Sequence, residues 1–119
     1  MNHSIRCVLA SLLVMVLTSV VAVGQESPSY NAQLDEYPYP FPVETFEFVS
    51  QRQSLQMAYM HLQGSDAMPT VVLLHGKNFS GAYWEQTAKL LQSKGYSVLI
   101  PDQIGFGKSS KPAYYQFGF

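Results

Sequence analysis

Thr70-Val-Val-Leu-Leu-His75-Gly76-Lys77-Asn78-Phe79-Ser80-Gly81 decides how this chain reads. The run Thr70 to His75 is a continuous series of apolar β-formers, which fits a strand buried on both faces, as in a parallel sheet. Gly76 allows a tight turn, and a helix-like pattern starts within a few residues. Amide N–H groups at such a turn lack partners and sit at the carboxyl end of the strand, where open α/β sheets bind ligands. A donor held there stabilises negative charge growing on a tetrahedral oxyanion, by about 3–4 kcal/mol per donor. The competing reading is an ordinary strand-to-helix turn. A lone His-Gly pair would not decide between them; its place between a buried strand and a helix carries the weight.

Working outward, Ser80 to Lys94 has helical periodicity. Trp84, Thr87, Ala88 and Leu91 recur at i, i+3, i+4 and i+7, with Leu90 beside them. Ser80 is the expected N-cap, and Gly95 stands where a left-handed C′ residue belongs. Tyr96-Ser-Val-Leu-Ile-Pro101 reads as a second buried strand, so residues 70–101 form one βαβ unit with a right-handed crossover. Upstream, two stretches alternate with period two. Val43 to Ser50 places Phe46 and Phe48 on one face, and Leu55 to Leu62 follows after a polar turn at 51–54. Together they predict an antiparallel hairpin. A turn at Gln63-Gly64-Ser65-Asp66, closed by Pro69, leads into the βαβ unit.

The flanks are less regular. Asp102-Gln-Ile-Gly-Phe-Gly-Lys-Ser-Ser-Lys-Pro112 is a loop by composition, and the aromatics of 113–119 have no evident surface to pack on. Residues 25–42 are polar and then proline-rich, with Pro38, Pro40 and Pro42 alternating with aromatics. They predict an extended linker that lays Tyr37, Tyr39 and Phe41 on the domain. Residues 1–24 combine Arg6, an uncharged apolar run and a small-residue exit at Ala22-Val23-Gly24, the pattern of a signal peptide cleaved before Gln25. An uncleaved anchor is the alternative, the run being near the shortest that spans a bilayer. Cys7 is the only cysteine and lies in that segment, so a mature chain would hold no disulfide and no thiolate metal site.

Composition excludes some classes. The net charge is -1 and charged residues make up 13%, against about 25% in ordinary domains. No basic block interleaved with aromatics points to nucleic acid. No His, Cys, Asp and Glu cluster has metal-ligand spacing. Gly107-Lys108-Ser109 mimics the end of a phosphate-binding loop, but the position that needs the first glycine is Asp102. Asn78-Phe79-Ser80 matches a glycosylation acceptor inside the proposed site turn and is read as coincidence.

The stretch VVLLHGKNFSGAYWEQTAKLLQSKGYSVLIPDQIGFGKSSKP, with the hairpin before it, resembles the N-terminal portion of the α/β-hydrolase superfamily over residues 43–112. The resemblance implies an α/β fold class: a partial α/β-hydrolase fold, made of the hairpin and one βαβ unit behind a signal peptide. The domain plan is then 1–24 signal peptide, 25–42 linker and 43–119 incomplete hydrolase domain. Carried over by position, the Lys77 backbone N–H supplies one oxyanion donor. Phe79 and Trp84 are candidate substrate contacts. His75, Gly76, Asp102, Gly105, Gly107 and Ser109 hold the architecture, with His75 a buried imidazole and not the general base.

The G-x-S-x-G elbow that carries the nucleophile in this superfamily is absent, and no Ser-His-Asp set can be assembled. The expectation is therefore an N-terminal fragment of a secreted or periplasmic hydrolase acting on an ester, amide or related bond. Epoxide or halide chemistry stays open. By itself the chain is expected to be inactive, marginally stable and aggregation-prone. The full-length parent would take a small-molecule substrate, with no cofactor, no nucleic-acid partner and no membrane association after signal cleavage. The other reading is a natural, non-catalytic binding or structural short form.

Overall fold

The computed structural model describes residues 27–117. The signal-peptide reading, with Cys7 and His3, lies outside them. Four strands form one sheet: β1 (Val43–Ser50), β2 (Gln53–Leu62), β3 (Thr70–Val72) and β4 (Ser97–Pro101), in the order β1-β2-β4-β3. β1 and β2 are the expected antiparallel hairpin, and β3 and β4 run parallel. β2 pairs antiparallel with β4, Tyr59 opposite Pro101 and Leu62 opposite Val98.

The hairpin turn is tighter than the polar stretch 51–54 implied. Gln51 and Arg52 both have positive φ, 50° and 61°, as a two-residue type I′ turn requires. Gln53 and Ser54 already belong to β2. Phe46 and Phe48 share a face, with ring centroids 5.7 Å apart.

Alternation along β2 sends Ala58, Met60 and Leu62 to one side of the sheet. Met60 and Leu62 meet Val98 and Ile100 of β4 and Ala88 of the covering helix there, all buried. Tyr39, Phe41, Leu73, Trp84 and Leu91 close the margin of this core.

β3 departs from its expected form. It is shorter than the run 70–75 and, among the described residues, pairs only with β4. The Leu73 amide extends that pairing by one bond, to the Leu99 carbonyl at 2.9 Å. Val72 and Leu74 are 52% and 58% exposed, so the strand is covered on one face only. The reason is positional: the helix covers the Val98 side, and Val72 lies with its partner Leu99 on the opposite face. That second face, with Phe46, Met57, Tyr59 and Pro101, is open among the described residues.

The helix also starts differently. A 3₁₀ turn, Gly81–Trp84, leads into α1 (Glu85–Ser93). Ser80 occupies the N-cap position, yet its side chain caps nothing. Asp102 Oδ1 accepts the Gly81 N–H instead, at 2.6 Å. The far end follows the sequence: Gly95 has φ 89°, with Tyr96 N–H on Leu91 O and Gly95 N–H on Gln92 O, a Schellman closure.

The segment after the loop does find a surface. Tyr115 and Ser50 hydroxyls meet at 3.0 Å, and Gln51 exchanges two hydrogen bonds with the Gln116 backbone.

A candidate oxyanion site at the end of β3

The chain leaves β3 through a turn closed by the Phe79 N–H on Gly76 O at 3.2 Å. Asn78, at the third position, has φ 66°, and Lys77 before it is not in the left-handed region. That is the pattern of a type II turn, whose third position favours Gly or Asn. The conformational demand therefore falls on Asn78. Gly76 has no positive φ, and a Cβ there would meet nothing nearer than Phe79 Cδ2 at 3.8 Å. Among the described residues no acceptor takes the Lys77 N–H.

His75 is 4% exposed and locks this turn to the loop after β4. Its Nε2 accepts the Gln103 N–H at 2.9 Å, which places the proton on Nδ1, 2.8 Å from Gly76 O. The Gln103 side-chain amide donates back to the His75 carbonyl. Phe106 stands edge-on to the imidazole at 5.7 Å. Both ring nitrogens are engaged, so His75 positions backbone and has no lone pair free for a nucleophile.

Asp102, 1% exposed, organises the loop itself. Oδ2 accepts the Tyr39 hydroxyl and the Lys108 N–H, and Oδ1 accepts the Gly81 N–H. The carboxylate leaves no room beside it: a Cβ on Gly107 would lie 2.0 Å from Oδ2. Gly107 and Gly105 both have positive φ, 53° and 95°. The Tyr39 hydroxyl is pushed well above its ordinary titration range, by burial first and then by its bond to this carboxylate.

Ser109 and Ser110 finish the ladder of β2 where β4 stops. Ser109 Oγ accepts the Ala58 N–H and donates to Asp102 O, and Ser110 Oγ accepts the Gln56 N–H. A serine so engaged and fully buried is not a nucleophile.

A cavity of about 480 Å³ adjoins the turn. Asn78, Phe79 and Ser80 line it from the turn, and Tyr83 from the 3₁₀ segment. Phe79 and Tyr83 ring centroids are 5.5 Å apart. Trp84 does not line this cavity. It packs at the core margin, 4.5 Å from the Tyr83 ring, with a buried Nε1 that has no partner among the described residues. Gln103, Tyr83 and Ser110 were not anticipated; nothing in their local pattern separates them from ordinary loop and helix residues.

His61 is exposed on β2, opposite Leu99 and separated from β3 by β4. No group of three or more His, Cys, Asp or Glu able to hold a metal occurs among the described residues. No described helix is long and apolar enough to cross a membrane.

An amide without an acceptor after a parallel strand, a locked buried imidazole and an adjoining apolar cavity mark a candidate ligand site in an α/β protein. The comparisons agree with that class. The family model of the α/β hydrolase fold matches residues 69–119. A haloalkane dehalogenase of Mycobacterium marinum is 36% identical over 75 residues, covering 62% of this chain and 25% of that protein. Epoxide hydrolase A of Mycobacterium tuberculosis is 41% identical over 49 residues, 41% of this chain and 15% of that one. In the crystal structure of a probable hydrolytic enzyme from Pseudomonas aeruginosa the matched part has a TM-score of 0.71 and 42% identity, covering 76% of this chain and 29% of that chain. The chain belongs to the α/β-hydrolase superfamily. It spans about a quarter of the haloalkane dehalogenase it matches.

Proposed function

We propose that the turn after β3 is half of an oxyanion hole, and that these residues are the N-terminal part of an exported hydrolase. The Lys77 N–H, left without an acceptor beside an apolar cavity, carries this reading. It would stabilise negative charge on a substrate oxygen, with the second donor and the nucleophile supplied by residues outside this sequence. The substrate is a small molecule with an ester, amide or related bond. No cofactor enters the scheme. Residues 1–24 would direct the protein to the periplasm or outside the cell.

The named relatives support a second form of the same reading, in which a carboxylate nucleophile opens a carbon–halogen bond or an epoxide. The test is expression of the complete coding region. Purified protein would be assayed on p-nitrophenyl esters, short chloroalkanes and a simple epoxide. Turnover of one class assigns the chemistry, and no turnover of any class overturns the hydrolase reading in favour of a non-catalytic short form. Fractionation of cells with and without residues 1–24 tests export; a cytoplasmic full-length chain would contradict it.

A further inference from the structure

The proline-rich approach to β1 does more than connect. Part of it lines the same cavity as the turn after β3: Ala32, Leu34 and Tyr37 share it with Phe79, Tyr83 and Phe106. The approach is fixed by specific bonds. Asn31 Nδ2 donates to Asp35 Oδ2 at 2.7 Å, and the Asp35 N–H donates to Asn31 Oδ1 at 3.1 Å. Leu34, with φ 55°, is held by backbone bonds on each side, to Asn31 O and from the Tyr37 N–H, both 3.0 Å. Lys108 Nζ donates to Asp35 O at 3.0 Å and lies 5.0 Å over the Tyr39 ring, whose hydroxyl reaches Asp102. The segment is thus tied to the loop that also positions His75 and the 3₁₀ turn.

The lining is nearly free of charge. Its one ionic group is Lys111, whose ammonium donates to Gly107 O at 2.6 Å and Ser109 O at 3.0 Å. No carboxylate in the lining would pair with a cation, and two of the three Lys111 donors are already spent on carbonyls, so the apolar walls dominate the site. Aromatic and aliphatic walls recognise apolar groups by burial.

We propose that Ala32, Leu34 and Tyr37 form a fixed wall of the substrate cavity, which takes an uncharged apolar acyl or alkyl group, with Ala32 and Leu34 setting its length. This rests on the oxyanion reading of the neighbouring turn. The full-length protein would be titrated with N-phenyl-1-naphthylamine, a neutral apolar fluorophore, and assayed on p-nitrophenyl esters of increasing acyl length. Ala32→Trp fills the cavity and should weaken probe binding about tenfold while shifting preference to shorter acyl groups. Leu34→Ala enlarges it and should shift preference to longer ones. Gln33→Ala, off the cavity, should change neither.

Opposite shifts from filling and enlarging separate a wall from a merely structural segment. Probe affinity within about twofold of wild type for both variants, with unchanged thermal unfolding, overturns the proposal, as does a shift of both in one direction. If esters are not turned over but Ala32→Trp still weakens the probe, the wall stands and the hydrolase reading falls.

Discussion

Asp102 Oδ1 lies 2.6 Å from the Gly81 amide nitrogen, so a side chain at the end of β4 caps the helical segment that follows β3. The two ends of the βαβ unit are joined by one carboxylate, which also takes the Tyr39 hydroxyl and the Lys108 N–H. Replacing Asp102 by Ala leaves those buried donors without acceptors, at about 1–3 kcal/mol for each. Asp102→Asn restores the shape but turns an NH₂ toward a donor. Both variants of the full-length protein should lose at least about 2 kcal/mol in denaturant unfolding. A loss below about 1 kcal/mol for Asp102→Ala would show that the carboxylate is dispensable.

Two glycines of the site should respond in opposite ways. Gly107 faces Asp102 Oδ2 at a distance no Cβ can occupy, and it has φ 53°. Gly107→Ala must displace the carboxylate and accept a left-handed conformation, which alone costs about 1–2 kcal/mol. Gly76 has neither constraint, so Gly76→Ala should cost less than about 1 kcal/mol. Equal thermal destabilisation by the two substitutions would contradict this assignment of the turn.

The sequence made the βαβ unit and the hairpin legible because both are local periodicities. Gly95 was legible for the same reason, since a helix end is written within a few residues. The cap at Gly81 was not, because its acceptor is 21 residues away. Ser80 has the composition of a cap, but Asp102 reaches the donor from another element. The coverage of β3 was likewise not legible: Val72 and Leu74 read like core residues, and only the strand order puts them on an uncovered face. Within the site, Phe79 in the turn is at the cavity while Trp84, at the end of the 3₁₀ segment, is in the core margin, a distinction that hydrophobicity does not encode.

Tyr39 predicts an alkaline weakness. Burial, then its bond to Asp102, raises its pKa above the ordinary value of 10.0. Above that value the unfolded chain has lost the phenolic proton while the folded chain keeps it. The folded state then binds more protons, so stability falls as pH rises. Lys111 acts in the opposite sense: burial lowers its pKa, and the stability gained on raising pH through that window is complete by its ordinary value of 10.5. Tyr39→Phe should therefore lose about 1 kcal/mol at neutral pH, through the missing bond to Asp102, and decline less steeply than wild type above pH 10.5. Denaturant midpoints across that range check this; parallel declines would remove Tyr39 from the account.

The oxyanion assignment can be tested on the backbone itself. Lys77 occupies the second position of the turn closed by Gly76 and Phe79, where type II turns favour proline. Lys77→Pro therefore keeps the turn and deletes only the N–H, and Gly76 before it accommodates the restriction that proline imposes. Lys77→Ala keeps the N–H and deletes the side chain. Under the proposed hydrolase function, the proline variant of the full-length protein should lose about 100- to 1,000-fold in kcat with thermal unfolding unchanged, while the alanine variant stays near wild type. A proline variant with wild-type kcat would take the Lys77 amide out of the hole. A large loss in the alanine variant would move the role from the backbone to the ammonium.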